Sequence, residues 1–154
     1  MPKTLIPKFE NPLFLADFLK ACLDDQKNKL DLQIYALKGL FLLLQNHGLD
    51  YPKYYEKLYA LLLPQKVAIE SSNTFEIVSV FSSVDHETKN RFLRVLDLSL
   101  RSSILPSKLI AAFIKRLGRV LVSHGSMLSV NETMFAIAQI ANLIKRHPRC
   151  LRLV

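Results

Sequence analysis

Apolar residues recur at spacings of three and four along most of the chain, which is the periodicity of amphipathic helices. No segment alternates apolar and polar residues in the way that a solvent-exposed strand does. Proline, glycine and capping residues mark where the periodic segments begin and end. The pattern predicts helices over residues 11–23, 31–46, 51–63, 85–101, 106–124 and 130–147.

Three of the predicted helix ends rest on particular residues. Gly48 is expected to end the second helix, because glycine readily adopts the left-handed conformation found just beyond helix C-termini. Asp50 is expected to cap the third helix. Ser129 and Glu132 have the S-x-x-E spacing of a capping box, which places the start of the last helix between them.

Residues 65–84 have the weakest pattern, and here we expect a short helix around residues 66–70, a polar turn and an apolar FEIVSVF segment. The chain then has about seven helices joined by short loops, so successive helices are expected to be antiparallel. Most helix starts lie roughly 20–24 residues apart, so a helix pair has the length of a HEAT or armadillo repeat. The sequence therefore predicts an all-α fold, a HEAT/armadillo-like α-solenoid, as one domain over residues 1–154.

The positive charge of the chain is confined to its last third. Residues 1–50 and residues 51–100 each contain six Lys or Arg and six Asp or Glu, so both segments are neutral. Residues 101–154 contain nine Lys or Arg and one acid, Glu132, and hold the whole formal net charge of +8. Charge concentrated in this way creates a field that attracts acidic partners or polyanions.

The predicted helix over residues 106–124 separates its charge from its apolar residues. Lys108, Lys115 and Arg119, which we call the cationic row, fall within about 40° of each other on a helix. Arg116 flanks the row, and no acid lies three or four residues from any of these cations. The opposite side carries the apolar residues Leu109, Phe113, Leu117, Val120 and Leu121.

The last helix ends in KRHPRCLR, and antiparallel packing would bring this basic terminus near Lys108. The predicted polyanion- or partner-binding residues are therefore Lys108, Lys115, Arg116, Arg119, Lys145, Arg146 and Arg149. A solvated basic face without any partner is the alternative interpretation.

Catalytic and metal-binding patterns are absent from the sequence. It contains no phosphate-cradling glycine loop, no HExxH, no paired carboxylates at helical spacing and only dispersed histidines. Cys22 and Cys150 have no metal-ligand spacing and no disulfide framework, and we expect Cys150 to be a surface thiol. We therefore expect no enzyme activity, no cofactor, no metal and no small-molecule substrate.

A group of tyrosines and a long apolar run are both expected to belong to the packed interior of the fold. The tyrosines of residues 51–59 are expected to pack between helical layers rather than to stack on bases. The most apolar run, residues 30–44, is interrupted by Asp31 and Lys38 and is too short to span a bilayer. With no signal peptide at the start, we expect no membrane partner and a reducing compartment.

Four stretches carry a family resemblance: NPLFLADFL, ALKGLFLLLQNHGLDYPKYYEKLYALL, LPSKLIAAFIKRLGRVLV and NLIKRHPRC, in this order. Together they resemble the CBF/Mak21 domain family. The resemblance implies a HEAT-like helical protein of the nucleus and nucleolus with no catalytic role. It also implies a place in the small-subunit processome, in 18S ribosomal RNA maturation and 40S assembly and export, and a nucleolar protein 14-like partner.

The family resemblance also raises an expectation about the end of the chain. Family members have further helices before and after this region, so we expect a reduced family member or a fragment. The last helix is apolar over much of its circumference, with Thr133, Ile137, Ile140, Leu143 and Ile144. A solenoid ending there without a polar cap leaves apolar surface exposed, and we expect a partner to cover it.

Two alternatives to direct contact with pre-ribosomal RNA remain open. The cations of the last third would also suit a pure protein-interaction scaffold, in which they meet Asp and Glu of a partner. A transcription-associated DNA-binding factor is the third interpretation, although the sequence has no helix-turn-helix or basic-region pattern.

Overall fold

A computed structural model describes residues 12–24, 30–62, 65–68, 75–78, 86–124 and 128–154. These residues form six α-helices, two 3-10 helices and one antiparallel pair of strands. The α-helices are α1 (Leu15–Asp24), α2 (Leu30–His47), α3 (Tyr54–Leu61), α4 (His86–Ser99), α5 (Ser107–His124) and α6 (Val130–Arg146). The 3-10 helices are Pro12–Phe14 and Pro148–Arg152. The prediction of a helical protein is confirmed for the body of the chain.

The strands β1 (Gln65–Ala68) and β2 (Phe75–Val78) correct the prediction for the central segment. Gln65 pairs with Val78 and Ala68 pairs with Phe75 in an antiparallel register. The short helix expected around residues 66–70 is therefore wrong where the structure describes this segment, and the described residues contain six α-helices where about seven were expected. The β-branched residues of the two segments favour extended backbone. The backbones of β1 and β2 then bond to each other rather than within a helical turn. The remainder of residues 66–84 lies outside the described residues.

The end of α2 follows its sequence signal, whereas the start of α3 does not. Gly48 has a φ of 64°, so the predicted left-handed residue is confirmed. Asp50 does not cap α3, because that helix begins at Tyr54, after Lys53 in the N-cap position. The Tyr54 N–H donates to the Tyr51 carbonyl at 3.1 Å and closes a turn before the helix begins.

The capping box at the start of α6 is confirmed. The Glu132 N–H donates to Ser129 Oγ at 3.3 Å, and the Ser129 N–H donates to Glu132 Oε2 at 2.9 Å. These two bonds satisfy backbone donors that have no partner within the helix.

The apolar faces of the helices meet in a core that extends from α1 to Cys150 in the last 3-10 helix. Gly39 in α2 allows α1 to approach closely, since a Cβ there would lie 2.9 Å from Leu19 Cδ1. The largest fully buried side chains are Tyr54, Phe92, Phe113, Ile34, Leu37, Leu40, Leu43, Leu58, Leu62, Leu96, Leu100 and Ile110.

Helices α2 and α4 lie side by side with their first turns together. Asp31, at the start of α2, accepts a hydrogen bond from the Thr88 hydroxyl in the first turns of α4. Arg91 Nη1 lies 3.4 Å from the same carboxylate, and its guanidinium stacks 4.7 Å from the Tyr35 ring centroid. Because the contacts advance in the same order along both helices, from Asp31 with Thr88 to Tyr35 with Arg91, α2 and α4 run in the same direction.

Helices α4 and α6 are joined at both ends. Lys89 Nζ, in the first turn of α4, lies 3.6 Å from Glu132 Oε1 in the first turn of α6. Asp97 Oδ1, near the end of α4, lies 3.9 Å from Arg146 Nη1 at the end of α6. Contacts of start with start and end with end mean that α4 and α6 are also parallel.

Helix α3 contacts both α4 and α5 through tyrosines. Tyr54 Oη lies 2.7 Å from Ser99 Oγ at the end of α4, and the Tyr55 hydroxyl donates to the Ser99 carbonyl at 3.2 Å. Tyr59 meets Phe113 of α5 edge to face, with ring centroids 5.3 Å apart. The prediction that these tyrosines pack between helices is confirmed.

Candidate polyanion-binding surface

Helix α5 buries one face, as its sequence pattern predicts. The Ile110 N–H donates to the Pro106 carbonyl at 3.2 Å, so the first turn forms directly after the proline. The buried side chains of α5 are Ile110, Ala111, Phe113, Ile114, Leu117 and Val120. This burial fixes the rotation of the helix about its axis and therefore decides which residues face solvent.

The three residues of the cationic row are exposed on the other side of α5. Lys108 and Arg119 are separated by three turns, a rise of about 16 Å along the helix. Among the described acids, none lies within ion-pair distance of Lys108, Lys115 or Arg119. The ion pairs between described residues involve other cations. The row is therefore a strip of positive charge that no acid among the described residues compensates.

Arg116 lies at the border of this strip and has a different environment. It is half-buried, and its guanidinium carbon lies 4.8 Å from the centroid of the Tyr59 ring in α3. Its Nε is buried without a hydrogen-bond partner in the described part of the molecule. Arg116 therefore connects α5 with α3 and is less available to a ligand than its neighbours.

The predicted cations at the end of α6 also differ in their availability. Lys145 and Arg149 are exposed and have no acidic partner among the described residues. Arg146 faces Asp97, whose other carboxylate oxygen lies 2.6 Å from Arg101 Nη2. The charge of Arg146 is thus partly compensated within the molecule.

The 3-10 helix Pro148–Arg152 contacts both α5 and α6, so the basic terminus lies against the helix that carries the cationic row. Arg149 and Arg152 line a shallow depression together with Pro148 and Leu153. Arg152 is absent from the predicted set, although its spacing of three from Arg149 indicates that both residues share one side of a helix.

Cys150 is completely buried, so the prediction of a surface thiol is wrong. The Cys150 N–H donates to the His147 carbonyl at 2.9 Å, and the resulting turn directs the thiol into the core. Arg149 and Arg152, which flank this position, predict exposure, but the turn exposes both arginines while burying Cys150.

Glu132, the one acid of the last third, does not neutralise the cationic row. It is buried beside Lys89 of α4, and His86 Nδ1 lies 3.5 Å from the same carboxylate oxygen. Burial raises the pKa of the Glu132 carboxyl, but the Ser129 N–H bond and the Lys89 charge outweigh it, so the pKa lies below its ordinary value of 4.5. Glu132 is therefore ionised at neutral pH and committed to the α4–α6 contact.

The described residues contain neither a metal-binding cluster nor a membrane-spanning helix. No cluster of three or more His, Cys, Asp or Glu side chains with metal-binding geometry occurs among them. None of the helices that the structure describes combines the length and the apolar character needed to cross a bilayer.

The fold and the surface define a class of protein: a helical protein whose basic last third presents to solvent a cationic row that no described acid compensates. Similarity to known proteins shows the family to which the chain belongs. Residues 33–154 match the CBF/Mak21 family, and the chain belongs to that family. The resemblance inferred from the four sequence stretches is confirmed.

Curated relatives match almost the whole chain. It is 38% identical over 151 residues to the protein nucleolar complex associated 4 of Arabidopsis thaliana, and 37% identical over 151 residues to the nucleolar complex protein 4 homolog of Homo sapiens. An uncharacterized protein of Schizosaccharomyces pombe is 36% identical over 154 residues. These matches cover 97% to 99% of this chain but only 22% to 26% of the relatives, so the chain spans about a quarter of their length.

Proposed function

We propose that this chain is the CBF/Mak21 part of a non-catalytic ribosome-biogenesis factor that acts in the nucleus and nucleolus. The names of the plant and human relatives, which place those proteins in a nucleolar complex, support this proposal. The more specific role that the family resemblance favours is in the small-subunit processome, where the chain would support 18S ribosomal RNA maturation and 40S subunit assembly and export.

The proposed architecture for this role is a HEAT-like stack, in which α2, α4 and α6 form one layer and α3 and α5 form the other. The parallel contacts of α2 with α4 and of α4 with α6 support the first layer. The contact of Tyr59 with Phe113 supports the second. Such stacks present extended rigid faces, which suit a protein that binds other macromolecules without changing them chemically.

The cationic row is the observation that carries the proposed contact with pre-ribosomal RNA. Its side chains are exposed, lie on one helix face and have no described acidic partner. Lysine and arginine that neutralise phosphates release counterions, so such binding weakens as salt increases. The exposed Lys145 and Arg149 extend the positive surface.

A double charge reversal in the row tests this contact. We expect Lys115→Glu with Arg119→Glu to weaken binding of a fluorescein-labelled single-stranded RNA about tenfold or more in fluorescence anisotropy. The slope of log affinity against log salt should become less steep by about 1.4, since each lost phosphate contact removes about 0.7. Circular dichroism should show unchanged helicity, because both residues are exposed.

Lys53→Glu with Arg94→Glu is the matched control, since it changes the net charge equally and alters two exposed residues outside α5. This control should retain most of the affinity and the original salt slope. If both double variants lose the same affinity, RNA responds to net charge alone, and the specific role of the cationic row is rejected.

A pure scaffold is the second candidate, and the half-buried Arg116 favours it, because Arg116 beside the cationic row is held against Tyr59 and is less available for phosphate contacts. In this case the cations meet acidic residues of a nucleolar protein 14-like partner. Loss of partner binding in the Lys115→Glu and Arg119→Glu variant, restored by Lys in place of the partner's acids, would support the scaffold. Retained partner binding together with lost RNA binding would support direct RNA contact.

A further inference from the structure

The outer face of α6 is apolar and lacks a covering element in the described part of the chain. Val130, Met134 and Ile137 are 79%, 62% and 51% exposed, and Ala141 is also exposed. With Lys145 they fall within an arc of about 80° on the helix. The buried residues Glu132, Ala136, Gln139 and Leu143 lie on the opposite side, against the rest of the molecule.

This face has the dimensions of a docking site for one helix. From Val130 to Lys145 the axis rises about 22 Å, which corresponds to roughly four turns. The larger Val130, Met134 and Ile137 occupy the N-terminal half of the face and the small Ala141 follows them, so a second helix can approach closely over the C-terminal half. Amphipathic helices bind such surfaces through apolar residues that repeat at three and four.

The charges around the face define the chemistry of the occupant. Lys145 terminates the apolar stripe and Arg149 follows it, both exposed and without an acidic partner among the described residues. The last third of the sequence has nine cations and one acid, and that acid, Glu132, is buried and bound to Lys89. An occupant that supplies Asp or Glu beside its apolar stripe would complement this surface.

We propose that the outer face of α6 binds an acidic amphipathic helix of a partner protein, with the acids of that helix meeting Lys145 and Arg149. A second copy of this chain fits less well, because each copy adds a net charge of +8 and offers no free acid in its last third. RNA also fits less well, because bases stack on aromatic rings and the exposed residues of this stripe are aliphatic. The inference deepens the partner-binding part of the proposed function and rests on it.

Designed peptides test the chemistry of the occupant directly. The probe is a fluorescein-labelled helix of roughly four turns with leucines at spacings of three and four and glutamates beside them. One comparison peptide replaces every glutamate by lysine, and another keeps the composition but scatters the leucines. We expect the chain to bind the acidic amphipathic probe at least tenfold more tightly than either comparison peptide in fluorescence anisotropy.

Substitutions on α6 then locate the binding. Met134→Ser with Ile137→Ser should weaken binding of the acidic probe at least tenfold, whereas Phe14→Ser with Phe18→Ser, a pair of exposed apolar residues at the same kind of spacing in the N-terminal part, should not. Lys145→Glu should weaken binding of the acidic probe and strengthen binding of the lysine peptide. RNA affinity of the Met134→Ser and Ile137→Ser variant should remain within about twofold, so failure here is separable from failure of the cationic row.

Three results would overturn the proposal. The first is equal binding of the acidic and lysine peptides, and the second is an equal loss of binding in the α6 variant and the Phe14 and Phe18 control. The third is concentration-dependent self-association in analytical ultracentrifugation that Met134→Ser with Ile137→Ser abolishes, since the occupant would then be a second copy.

Discussion

At the scale of single residues, Glu132 has two structural roles that depend on its charge. Its carboxylate completes the capping box with the Ser129 N–H and faces Lys89 Nζ across the α4–α6 contact. The side chains of Glu132 and Lys89 are 4% and 9% exposed, so Glu132 compensates the buried charge of Lys89, and Lys89 together with the Ser129 N–H compensates that of Glu132. Removing one partner of such a pair costs more than the pair itself contributes.

We expect Glu132→Gln to lower the free energy of unfolding by about 3 kcal/mol at pH 7, because Lys89 is left buried and unpaired. The pKa of Glu132 is lowered in the folded protein, so its stabilisation is complete above the ordinary value of 4.5 and is lost as pH falls below it. The difference between wild type and variant in urea unfolding should therefore shrink from pH 7 to pH 4 and below. A difference that stays constant with pH would contradict the assigned role of the carboxylate charge.

At the scale of elements, α5 combines a packing face and a binding face on one helix. Adjacent residues fall on different sides of this division: Lys115 is exposed, whereas Arg116 stacks on Tyr59 of α3. The two residues have the same charge and neighbouring positions, but only one of them connects two helices. Sequence spacing alone places Arg116 beside the cationic row and does not report this contact.

This difference predicts that neighbouring alanine substitutions separate stability from binding. Arg116→Ala should lower the free energy of unfolding by about 1 kcal/mol, because the stacking and the packing of its side-chain stem on Tyr59 are lost. Lys115→Ala should change it by less than about 0.5 kcal/mol and should weaken RNA binding more than Arg116→Ala does. Urea unfolding and fluorescence anisotropy on both variants check the two halves of the prediction. Equal destabilisation by both substitutions would remove the structural role of Arg116.

At the scale of the whole molecule, α4 is the central element. It contacts α2 through Asp31 and Thr88, α6 through Lys89 and Glu132, and α3 through Ser99. A helix that contacts three others couples their stabilities, since its unfolding exposes apolar surface on each of them. The stability of the basic surface and of the α6 face thus depends on α4, which carries no residue of either surface.

Leu96→Ala tests this coupling, because Leu96 is completely buried in α4. The lost side chain should reduce the free energy of unfolding by about 2–5 kcal/mol. Hydrogen exchange should become faster in α2 and α6 to the same extent as in α4, because the three helices open together. Faster exchange confined to α4 would show that the neighbouring helices are stable without it.

Much of this protein follows from the sequence by itself, because local physics decides it. Helical periodicity determined the six helices, the left-handed preference of glycine determined the end of α2, and the S-x-x-E spacing determined the start of α6. The faces of α5 follow from periodicity too, since a helix buries the side that carries its apolar residues. The accumulation of charge in the last third is a property of composition alone.

Contacts that helical periodicity does not predict decided the rest. The pairing of β1 with β2, the stacking of Arg116 on Tyr59, the partner of Arg146 and the burial of Cys150 each depend on residues or turns that spacing does not bring together. The same is true of the parallel order of α2, α4 and α6, which depends on contacts across the fold. Periodicity reports which side of an element is apolar, whereas only packing decides what that side meets.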